Sequence, residues 1–265
     1  MSLRSRFSTE LARLGLPQPP AGVLPPITEA ELAALPEAAQ RYLRFMGVVG
    51  RPRDWSFRLG FAGRFKVKQH APWRACEVWQ YNTSPAITRT FLMRIRFAGL
   101  PVIARDTYRD GHGRMLGKLL DRVTVIDGSG TEFDVGELVT YLNDMILIAP
   151  SMLLTPAVSF APLDERSFEV AVVDAGNRVN ARVSLDDRGA PIDFETTDRF
   201  CESPDDPRKL VRARWSTPVS GFQQIDGRMI LKRAQAVWHL PQGDLPYADF
   251  EVIPDSVAFN VRPGQ

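Results

Sequence analysis

The stretch WSFRLGFAGRFKV, residues 55–67, alternates large apolar residues with polar or small ones. Its apolar members are Trp55, Phe57, Leu59, Phe61, Phe65 and Val67. A period of two is that of a β-strand with one face in a core and the other in water. Because similar runs recur along the chain, the sequence predicts a large antiparallel sheet rather than a nucleotide-binding α/β fold.

Composition limits the classes of protein to which the chain belongs. Its 265 residues, 44% of them hydrophobic, are enough to bury a substantial core in one domain. The formal net charge of +2 gives no overall attraction to nucleic acid or to membranes. The two cysteines, Cys76 and Cys201, lie far apart and are predicted to be buried thiols rather than metal ligands or a redox pair.

No segment has the features of a secretion signal or a membrane span. The first 20 residues lack the uninterrupted apolar core of a signal peptide. No run approaches the roughly 18 apolar residues that a spanning helix needs. We therefore expect a soluble, cytoplasmic protein.

Residues 1–50 are predicted to form an amino-terminal helical arm with a proline-rich connector, and residues 51–265 a half-barrel domain. The connector is PQPPAGVLPP, residues 17–26. After it, Thr28 and Glu31 have the spacing of a capping box. The apolar stripe that follows, over 29–47, predicts one broken helix or two short ones, divided at Pro36.

Two sets of strand segments are predicted, with glycine, proline or asparagine at the turns between them, and together they are expected to give a sheet of about ten or eleven strands. The first set lies between residues 55 and 126, at 55–67, 74–81, 87–97, 102–109, 114–119 and 122–126. The second set completes the chain, at 179–185, 192–196, 211–215, 229–240, 247–253 and 257–261.

One helix is predicted between the two sets of strands, at about 134–149. Its apolar residues recur with the period of a helix, with Asp134 as N-cap and Pro150 as the stop. The predicted fold is therefore mainly β, an antiparallel twisted half barrel with a central helical lid and an amino-terminal helical arm. The lack of a predicted carboxy-terminal helix argues against helix-grip lipid-binding folds.

Four phrases of the sequence resemble those of an uncharacterised bacterial family: LPEAAQRYLRFMGVVG (35–50), ARDTYRDGHGRM (104–115), GELVTYLNDMILIAPSMLL (136–154) and AVWHLPQGDLPYADFEV (236–252). The order of elements over 50–262 also resembles the LolA-like half barrel of lipoprotein-localisation factors. That resemblance implies a concave face able to hold acyl chains, whereas the uncharacterised family implies no activity.

The first candidate site is the apolar concave face under the lid. The concave face of a half barrel is apolar and must be covered by another element. If the covering helix can move away from the sheet, a pocket for a hydrophobic ligand opens between them. The alternative is that the helix fills the barrel as core. The candidate ligand-binding residues are Phe57, Phe61, Phe65, Trp79, Phe91, Met93, Ile95, Leu138, Leu142 and Met145.

The second candidate is a charge asymmetry. Residues 89–122 carry eight basic and three acidic side chains, whereas residues 123–164 carry six acids and no lysine or arginine. One interpretation is a basic sheet face that receives anionic groups. The alternative is that lid acids and sheet arginines pair with each other.

The third candidate is a polar rim. Glu137, Tyr141 and Asp144 occupy i, i+4 and i+7 on the polar side of the lid, where paired carboxylates can divide acid and base roles. A solvated helix face is the ordinary alternative. The sheet contributes Arg105, Asp106 and Tyr108 to this rim.

Other site types are not supported by the sequence. His70, His112 and His239 lack the spacing of a zinc site, so no metal and no cofactor are predicted. The aromatics share the face that a half barrel buries, which argues against nucleic-acid binding. The favoured function is non-enzymatic binding of a hydrophobic or lipid-like ligand. The alternatives are an enzyme on a small amphipathic substrate, using lid carboxylates and sheet arginines, and a structural module that binds a partner at the open barrel edge.

Overall fold

The computed structural model describes residues 2–16, 18, 24–203, 206 and 208–265. Most of the predicted proline-rich connector, at 17 and 19–23, lies outside the described residues. The α-helices are α1 (Leu3–Arg13), α2 (Glu29–Leu32), α3 (Glu37–Phe45) and α4 (Thr131–Ile148). Short 3-10 turns follow at Pro150–Leu153 and Pro254–Ser256.

The strands fall into two sets separated by α4, as the sequence predicts. The first set is β1 (Ser56–Phe65), β2 (Arg74–Thr83), β3 (Thr88–Phe97), β4 (Leu100–Arg109), β5 (His112–Leu119) and β6 (Val123–Ser129). The second set is β7 (Val158–Asp164), β8 (Ser167–Asp174), β9 (Asn177–Leu185), β10 (Pro191–Glu202), β11 (Leu210–Ser216), β12 (Phe222–Ile225), β13 (Arg228–Leu231), β14 (Arg233–Leu240), β15 (Gly243–Val252) and β16 (Ala258–Phe259).

One curled antiparallel sheet contains 14 of these strands. Its order is β6-β5-β4-β3-β2-β1-β15-β14-β11-β10-β9-β8-β7, with β16 paired to β1, while β12 and β13 form a separate hairpin. The predicted fold class is confirmed: a mainly β half barrel with a helical lid and amino-terminal helices. The predicted count of ten or eleven strands is too low, because β7, β8 and several short strands were not recognised.

The concave face carries the main core, and strand pleating assigns its residues. Phe57, Leu59 and Phe61 alternate along β1 and belong to one buried cluster with α4. The intervening Ser56 and Arg58, predicted to face water, are buried instead. The Ser56 hydroxyl donates to the Val261 carbonyl at 2.8 Å, because the carboxy-terminal segment covers this face.

Helix α1 covers the convex face next to that segment. Leu3, Phe7 and Leu11 recur at i, i+4 and i+8 and form a second buried cluster with residues of β2, β3 and β4. The predicted helical region over 29–47 is two helices, divided at Pro36, and the Thr28 capping box is present. Cys76 is buried as predicted, whereas Cys201 is half-buried.

Helix α4 is encased rather than laid on the surface. It begins at Thr131, one turn before the predicted start, and Asp134 is not its N-cap but accepts a hydrogen bond from the Gly113 amide at 2.7 Å. Every residue from 135 to 148 is buried. The helix packs chiefly against β5 and β10, and the Tyr42 hydroxyl of α3 donates to the Ile146 carbonyl at 2.7 Å. A helix buried on all sides acts as a plug in the half barrel.

Candidate functional site

Most of the apolar residues predicted to bind a ligand lie in one core on the concave face. The residues brought together there are Phe57, Phe61, Phe91, Met93 and Ile95 of the sheet and Leu138, Leu142 and Met145 of α4. Phe65 is half-buried at the margin of this core. These side chains pack against each other below α4, in agreement with the alternative prediction that the helix fills the barrel as core. Their role in ligand binding stays a prediction.

Trp79 does not belong to this concave face. It pairs with Gly60 and Leu92 in the sheet and lies in the buried cluster with α1, on the convex side. Val78, the preceding residue, is the one that packs in the concave core. The prediction that Trp79 lies with the phenylalanines is wrong, because the sequence alone does not determine the register of β2 against β1. A shift of one residue moves a side chain to the other face of the sheet.

Arg89 is the centre of a buried charge network between β3 and α4. Its Nη1 lies 2.8 Å from Glu137 Oε2 and its Nε 2.7 Å from Asp144 Oδ2. The Asn82 side-chain amide also donates to Asp144 Oδ2, at 3.2 Å. The exposed fractions of Arg89, Glu137 and Asp144 are 4%, 3% and 8%. The lid carboxylates are therefore not a solvated helix face; they pair with a sheet arginine, as the second interpretation of the charge asymmetry expects.

Asp106 is a third carboxylate on the same face. It lies opposite Phe91 of β3 and Met115 of β5 in the sheet. Its Oδ1 atom is buried and has no hydrogen-bond partner among the described residues. Burial and the negative charge of Glu137 raise the pKa of Asp106 to about 7, although Arg89 and Arg199 oppose this shift. A carboxyl that titrates near neutral pH in a polar cluster is typical of functional sites.

The two tyrosines of the predicted rim are buried. The Tyr108 hydroxyl donates to Asp174 Oδ2 at 2.8 Å, and the Tyr141 hydroxyl donates to the Thr83 carbonyl at 2.8 Å. Burial raises the pKa of both phenols. Each hydroxyl thus satisfies a buried acceptor, and neither is part of an open rim.

Arg105 lies on the opposite face of the sheet from Asp106. It contacts Glu10 of α1 at 2.8 Å and Asp121 at 3.1 Å. Adjacent strand residues point to opposite faces, so the sequence pair Arg105-Asp106 is divided between two sites. Other arginines of 89–122 also pair away from α4: Arg94 with Glu77 and Arg114 with Asp127.

A group of half-buried aromatics lies beside the concave core. We call the side chains of Phe65, Trp238, Tyr247 and Phe250 the aromatic mouth; all four pack against that core. Ring centroids are 5.6 Å apart for Phe65 and Tyr247 and 6.2 Å for Trp238 and Tyr247. Phe250 connects the mouth to the buried part, at 5.8 Å from Phe61 and 6.4 Å from Phe91.

Arg199 provides a cation at the mouth. Its guanidinium lies 4.3 Å from the Trp215 ring centroid and 5.6 Å from that of Trp238. Its Nη1 donates to the Tyr247 hydroxyl at 3.0 Å, and Trp215 Nε1 donates to the same oxygen at 3.1 Å. These contacts fix the arginine over aromatic faces, a favourable arrangement for a partly desolvated cation.

The aromatic mouth is not predicted from the sequence. Its residues come from β1, β14 and β15, and the register shifts between Ala236 and Val237 in the β14–β15 pair. That bulge interrupts the period of two on which the face assignment depends. The aromatic content of 236–252 was the available signal.

Two cavities lie elsewhere on the molecule. One is a small recess lined by residues that include Asp54, Ser151 and Arg228. The other is an open groove on the convex face, lined by residues that include Trp73 and Asp249. Neither is lined by the Arg89 network or the mouth.

In the described part of the chain, no three His, Cys, Asp or Glu side chains are grouped so as to hold a metal ion. None of the described helices combines the length and apolar character needed to cross a membrane.

Comparison with known proteins gives a family and several solved structures of similar fold. The profile of DUF6544, a family of unknown function, matches residues 25–250. No curated protein matches this chain. The LolA superfamily protein NE2245 from Nitrosomonas europaea is similar over 81% of this chain and 91% of that chain, with 15% identity and a TM-score of 0.40. A DUF1329 family protein from Desulfovibrio piger is similar over 84% of this chain and 92% of that chain, with 12% identity and a TM-score of 0.41. The prediction of an uncharacterised family is thus confirmed, and the LolA superfamily is among the groups with similar structures.

Proposed function

We propose that this chain, which belongs to the DUF6544 family of unknown function, binds a hydrophobic or lipid-like ligand between its sheet and α4 without catalysing a reaction. The single observation that carries this proposal is the aromatic mouth. Its four side chains remain half-buried, although the core next to them is closed.

The mouth offers apolar area that a ligand can cover. Removing apolar surface from water yields about 25 cal/mol per Å², and aromatic side chains supply much area with few rotatable bonds. Phe250 contacts both Phe61 and Phe91, so a chain bound at the mouth continues toward the sheet side of α4. Trp238 and Tyr247 flank the entrance.

The position of α4 defines the route of entry in this proposal. The helix packs chiefly against β5 and β10, whereas the mouth is formed by β1, β14 and β15. A ligand therefore enters along the wall opposite the main helix contacts. No lifting of the buried helix is required at the first step.

Binding of the neutral fluorescent probe N-phenyl-1-naphthylamine tests the proposal. We expect saturable binding that Trp238→Ala weakens by about tenfold, since a large aromatic contact is lost. Trp73→Ala is the matched control, because Trp73 is also half-buried but lines the convex groove. Equal weakening by both variants, or no saturable binding to the natural chain, would overturn the proposal. Native mass spectrometry after gentle extraction identifies any bound acyl species.

The enzyme alternative has one observation in its favour. Burial and the charge of Glu137 raise the pKa of Asp106 to about 7, so this carboxyl is able to donate or accept a proton near neutral pH. This alternative predicts turnover of a small amphipathic substrate that Asp106→Asn abolishes. Saturable binding of amphiphiles with no chemical change in them excludes it for those compounds.

A further inference from the structure

Asp106 has an unused acceptor at the inner end of the mouth. Its buried Oδ1 receives no hydrogen bond from the described residues. It lies opposite Phe91 in the sheet, and the Phe91 ring is 6.4 Å from that of Phe250 in the mouth. A buried carboxylate oxygen without a donor is costly, and a ligand donor placed there would remove that cost.

The charged side chains around Asp106 include more carboxylates than arginines. Arg89 of β3 is already shared by Glu137 and Asp144 of α4. The next cation, Arg199 of β10, is held by Tyr247 and two indole rings. The carboxylates Asp106, Glu137 and Asp144 thus outnumber the two arginines near them. In a region of low dielectric, a further negative charge is strongly disfavoured there and a positive one favoured.

We infer that the ligand is an amphiphile with a hydrogen-bond-donating, cationic head group, such as a primary alkylamine. Asp106 receives the head group, and the aromatic mouth receives the alkyl chain. The inference rests on the proposed function, because it names the ligand class for the same site.

Head-group preference follows from the same residues. A carboxylate or phosphate head would add charge to a site already rich in carboxylates. An alcohol would satisfy Asp106 Oδ1 by one neutral hydrogen bond. An ammonium makes a charge-assisted bond, which is about twice as strong. The expected order of affinity is amine, then alcohol, then carboxylate.

Competition against N-phenyl-1-naphthylamine with decylamine, decanol and decanoate tests the inference. At pH 8, below the aggregation limit of each compound, we expect decylamine to bind at least about tenfold more tightly than decanoate. Asp106→Asn should remove this preference and leave decanol binding within about twofold. Asp193→Asn is the matched control: its Oδ1 is also buried without a partner, but its neighbour Phe194 packs in the core, so Asp193 faces outward.

The outcomes separate the two proposals. Equal affinity for the three compounds, or tightest binding of decanoate, overturns the inference and leaves hydrophobic binding in place. Loss of the preference in Asp193→Asn as well as in Asp106→Asn also overturns the inference. Binding of none of the compounds and no binding of the probe overturn the proposed function and the inference with it. The selectivity of the natural chain decides the question even if Asp106→Asn does not fold.

Discussion

At the scale of single residues, the buried charges of the concave face differ in how they are satisfied. Arg89, Glu137 and Asp144 have short ion pairs, whereas Asp106 Oδ1 has no hydrogen bond within the described chain. A buried pair with good geometry tolerates its desolvation, but a buried group without a partner does not. The burial of Asp106 is therefore expected to lower the free energy of unfolding.

The stability of the protein is expected to fall as pH rises toward 7. Burial raises the pKa of Asp106 from 3.8 to about 7, so between these values the folded protein holds a proton that the unfolded chain has released. That uptake stabilises the fold fully below pH about 4 and is lost as pH rises through about 7. At about 1.4 kcal/mol per pKa unit, the loss is at most about 4 kcal/mol.

Urea denaturation of Asp106→Asn at pH 5 and pH 8 measures this effect. The variant should show a smaller difference between the two pH values and a higher unfolding free energy than the natural chain at pH 8. Asp110→Asn, an exposed substitution at a turn residue with positive φ, serves as control. A natural chain that is more stable at pH 8 than at pH 5, with no change in Asp106→Asn, would contradict the prediction.

Residue types and periodicity predicted some site residues and misplaced others. The spacing of Glu137 and Asp144 correctly gave them one face of α4, but a single sequence does not show that this face meets Arg89 rather than water. Alternation alone divides Arg105 from Asp106. Alternation does not show what covers each face: on the convex side, α1 buries Trp79 and pairs with Arg105 through Glu10.

At the scale of elements, the long strands were predictable and the short ones were not. Strands β1 and β9, of ten and nine residues, show clear alternation in the sequence. Strands β12, β13 and β16 have two to four residues, too few for a period to be recognised. Strand β7 contains Pro162, which lowers strand propensity and is tolerated at a sheet edge, where β7 lies.

Strand β6 forms the other edge of the sheet and is expected to drive aggregation. Val123, Val125 and Ile126 are exposed along it. An apolar edge with unpaired backbone groups is a template for pairing with another chain. Val125→Lys should reduce heat-induced light scattering while changing the unfolding free energy by no more than about 0.5 kcal/mol.

The matched control for β6 is Val173→Lys. Val173 is also exposed, but it pairs with Arg178 of β9 on one side, and its amide donates to the Ala157 carbonyl on the other. The same charge added there should leave light scattering at nearly the natural level. A similar reduction in both variants would mean that net charge, and not the open edge, controls aggregation.

At the scale of the whole molecule, α4 connects the two sets of strands. It packs against β4 and β5 on one side and against β9 and β10 on the other. Its Leu142 side chain is fully buried in the shared core. The two sets are therefore expected to unfold together in one cooperative transition.

Leu142→Ala tests this coupling. Removing a buried leucine side chain should lower the unfolding free energy by about 2–5 kcal/mol. Hydrogen exchange should become faster in β4 and β5 and also in β9 and β10. Leu100→Ala, at an exposed position, is the control. Faster exchange confined to one set of strands would contradict the coupling.

The position of β1 beside β15 has a consequence for synthesis on the ribosome. Phe61 pairs with Val252, so one side of β1 acquires its neighbour only after α4 and the strands from β2 to β14 have been synthesised. Until then, the first set of strands has two unpaired edge strands, β1 and β6. Helix α4 also leaves the exit tunnel before β9 and β10, against which it will pack. These surfaces stay exposed until the strands that cover them have been synthesised. A chaperone that binds them during that interval would therefore protect the nascent chain from misfolding.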